Sequence, residues 1–179
     1  MSAPKLFISY CWSSAEHQEW VLRLGTELRE SGVDVILDKW DLKEGNDANA
    51  FMEKMVSDES IKKVILVIDE HYSEKANKRA GGVGTETQII SAEVYESVDQ
   101  NKFVAVIASK DLEGKTKLPV FYKSRIYIDL SDEDLYGNNF EQLLRWIYDK
   151  PLNIKPELGK KARIFERRRV SINRNICLL

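Results

Sequence analysis

The chain has 179 residues, enough for one domain with a tail, and its 43% hydrophobic share supports a sizeable core. No apolar run approaches 18 residues, which excludes a membrane-spanning helix. The start, Met1-Ser-Ala-Pro4, has no basic stretch ahead of an apolar one, so no secretory leader is expected. The net charge of −2 conceals an asymmetry: Lys160 to Arg174 carries seven basic residues against one acid, Glu166, and leaves an acidic body. Such a body does not suit a nucleic-acid partner. The basic run reads as a solvated tail or linker, or as an arm that touches phosphates or an anionic membrane surface. The expected division is a domain over residues 1–155 and a tail over 156–179. Cys11 and Cys177 stand near opposite ends, which favours a reducing, cytoplasmic setting over a disulfide.

Lys5 to Tyr10 is a short apolar run with β-branched and aromatic residues, and reads as a buried strand. Ser13 or Ser14 can cap the helix that follows. Val21, Leu24 and Leu28 recur on that helix at helical spacing, and Gly32 suits its left-handed end. A second strand is expected at 33–38, then a polar loop from Asp38 to Asp47, then a short helix carrying Phe51, Met52, Met55 and Val56. The third strand, 63–68, is continuously apolar and belongs at the centre of a sheet. A long polar stretch from His71 to Gly84 leads to a helix expected over Thr85 to Ser97. Further strands are expected at 103–108 and 126–129, with an irregular connection between them. Phe140, Leu143, Leu144 and Ile147 mark a last helix before Pro151.

Alternating strands and helices predict an α/β fold: a flavodoxin-like, five-stranded parallel sheet of order 2-1-3-4-5 with helices on both faces. Ligands of such sheets sit beyond the carboxyl ends of the strands. That places the candidate site on three loops: Ser9 to Ser14, Asp38 to Asp47, and Asp69 to Glu86.

Several chemistries fail on their residue patterns. The histidines, His17 and His71, lack ligand spacing, and Asp38 with Asp41 is too sparse a pair for a hard cation, so no metal is expected. Gly114-Lys-Thr116 mimics the end of a P-loop, but position 109 is Ser where that motif needs Gly. Ser9 lacks the elbow glycines of a nucleophile, and Cys11 reads as a small, near-buried thiol. A phosphoacceptor would need paired acids after the first strand, where Tyr10 and Cys11 stand instead.

Phe7-Ile-Ser-Tyr10 at the end of the first strand and Asp38-Lys-Trp-Asp-Leu-Lys-Glu-Gly45 after the second resemble the Toll/interleukin-receptor (TIR) superfamily. Glu16-His17, Trp20-Val21, Gly32 to Asp38 and Trp40-Asp-Leu42 bring the wording closer to its SEFIR branch, of bacterial type. The resemblance spans about residues 4 to 150. It implies an intracellular signalling module that associates with itself or with another SEFIR/TIR domain. Trp40, Asp41, Leu42, Lys43 and Glu44 are the expected interface, an apolar centre with a charged rim.

The resemblance also implies an alternative, a TIR-type NAD+ glycohydrolase switched on by assembly. NAD is then the substrate and Glu86 the catalytic carboxylate, with Ser9, Trp12, Trp40, Leu42 and Gly45 lining the pocket. Gly82 occupies the place where such sequences more often carry Trp, four residues before the glutamate. A carboxylate there would stabilise the oxocarbenium-like centre left as nicotinamide departs. The plain alternative is that Glu86 complements the positive end of its own helix. Trp12 and Trp40 can each stack on an adenine or anchor an interface, and Trp40 can instead fold back on the core.

Overall fold

The computed structural model describes residues 2–79 and 89–160. The chain runs β1 (Lys5–Tyr10), α1 (Ala15–Glu30), β2 (Asp34–Ile36), α2 (Asp38–Asp41), α3 (Ala48–Ser57), β3 (Lys63–Ile68), α4 (Glu70–Arg79), α5 (Ala92–Ser97), β4 (Phe103–Ile107), β5 (Ile128–Asp129) and α6 (Tyr136–Ile147). All neighbouring strands pair in parallel, in the order β2-β1-β3-β4-β5, as the sequence predicts.

Side chains alternate across a strand, so a sheet covered on both faces needs apolar residues at every position. Leu6, Ile8, Ile65, Val67, Val104 and Val106 face one way, against Val21, Leu24 and Leu28 of α1 and Leu143 and Ile147 of α6. Phe7, Val64, Leu66, Ile68, Ala105 and Ile107 face the other, against Met52 and Val56 of α3, Tyr72 of α4 and Tyr95 of α5. Ser14 caps α1 by accepting the His17 amide at 3.1 Å, and Gly32 takes the left-handed φ of 86° that ends it.

Three expectations need correction. The polar stretch after β3 is helical as far as Arg79: Asp69 caps α4 through the Tyr72 amide at 2.7 Å, and the buried stripe is Tyr72, Ser73 and Ala76 rather than large aliphatics. Of the helix expected over Thr85 to Ser97, the part Ala92–Ser97 is helical and capped by Ser91, while Ile89 and Ile90 ahead of it are buried in non-helical chain. Its earlier part, with Glu86, lies outside the described residues. The loop from Asp38 to Asp47 opens with the helical turn α2.

The edge strands are also shorter than 33–38 and 126–129 suggest. At the β5 edge the cause is Tyr122, whose hydroxyl accepts the Ala105 amide at 3.0 Å and donates to the Ile126 carbonyl at 3.1 Å. The tyrosine takes the ladder positions that a longer β5 would fill. Short edges blunt pairing with foreign strands.

At its far end α6 is tied to the sheet by Lys63, whose ammonium meets Asp149 at 2.6 Å and covers the Trp146 ring at 4.5 Å. Beyond it Pro151 to Lys160 are exposed. Removing the chain after Gly159 is therefore expected to leave the melting temperature within about 5 °C of the intact protein. A larger drop in a thermal melt would show that the tail belongs to the domain.

Candidate functional site

The chain leaves β1 towards β2 on one side and returns to β3 on the other, so the switch point lies between the carboxyl ends of β1 and β3. Ser9 is buried there, 3.3 Å from the Tyr72 hydroxyl, which also accepts the Ile90 amide at 3.3 Å. Cys11 is a buried thiol.

Trp12 is 49% exposed yet fixed. Its indole N–H is shared between Asp38 Oδ2 at 2.8 Å and the Tyr10 hydroxyl at 3.1 Å. The Lys39 ammonium lies 5.1 Å from its ring centre. Asp38 is buried, and its Oδ1 accepts the Lys39 amide at 2.8 Å. Burial, and then the Asp38 charge beside it, hold the Tyr10 hydroxyl far above the ordinary tyrosine range, so it stays protonated. The result is a rigid aromatic platform at the sheet's carboxyl edge.

Trp40 goes elsewhere. It is 40% exposed, and its ring lies on Gly25 of α1, where an added Cβ would stand 3.0 Å from the ring's Cη2. Thr26, Arg29, Glu30, Val35 and Asp41 line the shallow surface groove beside it. Trp12 and Ser9 thus stand at the switch point, whereas Trp40 covers the α1 side of the β2 edge. Asp41 reaches back to accept the Leu37 amide at 2.9 Å.

The Leu42-x-x-Gly45 spacing has a local cause. The Asn46 amide bonds to the Lys43 carbonyl at 3.0 Å, and Gly45, third residue of that turn, has φ 86°. A turn with positive φ at its third residue calls for glycine. Leu42 is half-buried, while Lys43, Glu44 and Gly45 are exposed.

One cluster escapes sequence reading. Asp69 Oδ2 accepts the Ser13 hydroxyl at 2.5 Å, and two imidazole nitrogens stand off the same oxygen, His17 Nε2 at 3.9 Å and His71 Nδ1 at 3.8 Å. Linear ligand spacing could not reveal it, since the partners lie 52 and two residues from Asp69; the usable signal was an acid placed directly after the central strand. Among the described residues no group of three or more His, Cys, Asp or Glu is arranged to hold a metal ion. No helix among them is long and apolar enough to cross a membrane.

The TIR domain family matches residues 6–144. A prokaryotic SEFIR domain of known structure is 40% identical, with a TM-score of 0.73, over 88% of this chain and 100% of that one. The TIR domain of the Toll-related receptor TRR-2 from Hydra magnipapillata is 17% identical, with a TM-score of 0.56, over 80% of this chain and 97% of its own, and shares the fold. No curated protein matches the chain. With the sheet order, the two loops and this identity in agreement, the chain belongs to the TIR family, as a SEFIR-type domain of the prokaryotic kind.

Proposed function

We propose that the domain is a signalling module that acts by homotypic association, with itself or with another SEFIR/TIR domain, in the cytoplasm. The observation that carries this reading is the surface around α2. Trp40 offers an aromatic face with two-fifths of its area open to solvent, and Lys43 and Glu44 stand exposed beside it on a turn built around Gly45. Aromatic centres with charged rims are how contact surfaces are composed. Asp41 and Leu42 serve it differently, Asp41 by holding the turn and Leu42 by seating it. Sedimentation velocity over a dilution series tests the proposal. The expected result is concentration-dependent dimers or larger species; a strict monomer at high concentration would end the homotypic reading.

A second reading, NAD+ cleavage with Glu86 as the carboxylate, draws its support from Trp12. An indole pinned by Asp38 and Tyr10 at the ligand-binding edge of the sheet is a ready stacking platform for a planar base. Ser9, Leu42 and Gly45 would then shape the rim of the pocket. If the concentrated protein releases nicotinamide from NAD, Glu86→Gln is expected to abolish release while preserving the fold, because the amide keeps the shape and loses the charge. Retained turnover in that variant, measured beside its circular dichroism, would remove Glu86 from the role.

A further inference from the structure

Asp69 joins three segments. It follows β3, caps α4 through the Tyr72 amide, and accepts the Ser13 hydroxyl from the loop between β1 and α1. The two histidines that stand off its Oδ2 are the chain's full complement, and their settings differ. The His71 side chain is 62% exposed; that of His17 is 8% exposed, and its Nε2 is shut from solvent with no hydrogen-bond partner. A separation of 3.9 Å is too long for a hydrogen bond and short for a charge interaction. A buried ring nitrogen left without a partner is costly. A proton on the ring makes both its nitrogens donors, and one of them already faces a carboxylate.

The groups around His17 come from every neighbouring element. The Tyr10 ring of β1 lies 6.2 Å away, centre to centre. The first loop supplies Ser13, the end of β3 supplies Asp69, and α4 supplies His71. Glu70 of α4 is engaged by Lys117, and Glu16 on α1 itself is exposed. Behind Tyr10 stands Asp38, which holds the Trp12 indole.

We propose that His17 and Asp69 form a proton-operated latch: a proton on His17 draws the imidazolium onto Asp69 Oδ2, competes with the Ser13 hydroxyl for that oxygen, and so resets the first loop, which carries Trp12. The neutral state keeps the Ser13 bond; the charged state trades it for an ion pair. Burial holds the His17 ring below the ordinary histidine range, Asp69 pulls it back up and His71 pushes it down, which sets the latch on the acid side of neutrality. Because the folded chain holds this proton less tightly than the unfolded chain, stability falls as pH drops through the ordinary histidine value. The latch is a property of the single domain and stands apart from both association and NAD cleavage.

Two histidines make the test clean. Ring nitrogen signals of His17 and His71 and the Trp12 indole signal are followed by NMR from pH 8 to 5 in the full chain at dilute concentration, with Trp12→Phe assigning the indole. In the wild type the Trp12 signal is expected to move with the His17 midpoint. In His17→Gln that movement is lost, and in His71→Gln it persists. Ser13→Ala, which keeps His17, is expected to raise the His17 midpoint by roughly half a pH unit by freeing the carboxylate of its competitor. The latch is overturned if His17 stays neutral to pH 5, if its midpoint is unchanged in Ser13→Ala, or if the Trp12 signal follows His71 instead.

Discussion

Replacing Asp38 with alanine is expected to lower stability by about 2 to 4 kcal/mol and to release the Trp12 indole from its fixed position. The carboxylate is buried, and it accepts the Trp12 N–H at 2.8 Å and the Lys39 amide at 2.8 Å beside the buried Tyr10 hydroxyl. Each hydrogen bond to a charged group is worth about 1.5 to 3 kcal/mol, and a donor left buried without its partner costs more than one that returns to water. Trp12 is half exposed and regains water; Tyr10 is 1% exposed and does not. The sum is therefore smaller than that of the separate bonds. Asp38→Asn keeps the shape and one acceptor, and is expected to recover about half of the loss. Urea denaturation with matched slopes measures both variants. A loss under about 1 kcal/mol in the alanine variant would show that Asp38 is decoration at the loop and not its anchor.

The sheet was legible because burial on both faces leaves an unambiguous mark. Lys63 to Ile68 has apolar side chains at every position after the lysine, and only a central parallel strand needs that. The edges were not legible, because a side chain decides them. Nothing in Ile126-Tyr127 says that the Tyr122 hydroxyl will take the Ala105 amide first. Helix α4 stayed hidden because its inward face is Tyr72, Ser73 and Ala76, a stripe that looks polar until Asp69 is recognised as its cap.

The site divides in the same way. Gly32 and Gly45 were readable, since a left-handed turn admits few other residues. The bond from Trp12 to Asp38 spans 26 positions and the contact of His17 with Asp69 spans 52, so both depend on strand order and on where α1 starts. Two neighbouring loops suggest one pocket for Trp12 and Trp40. Helix α2 turns the Trp40 ring onto Gly25 instead, and sequence gives no angle for a four-residue turn.

That placement sharpens what Trp40→Ala should do. A fully buried tryptophan cut to alanine costs about 3 to 5 kcal/mol. Trp40 keeps 40% of its area in solvent and rests one side on Gly25, so a loss of about 1 to 2 kcal/mol is expected in the monomer. If the same ring anchors association, its removal should also weaken dimers by roughly tenfold or more, the usual effect of losing an aromatic anchor. One variant cannot separate a lost contact from a loosened loop. Gly25→Ala can, because it leaves the ring present and only disturbs its seat. The new methyl group would stand 3.0 Å from the far edge of the indole, which has to lift, while alanine in a helix interior offsets the strain by up to about 1 kcal/mol. Association weakened in both variants, with a stability loss in Trp40→Ala alone, would identify the seated ring as the contact. Wild-type sedimentation in both would move the interface away from α2, whatever the melting temperatures show.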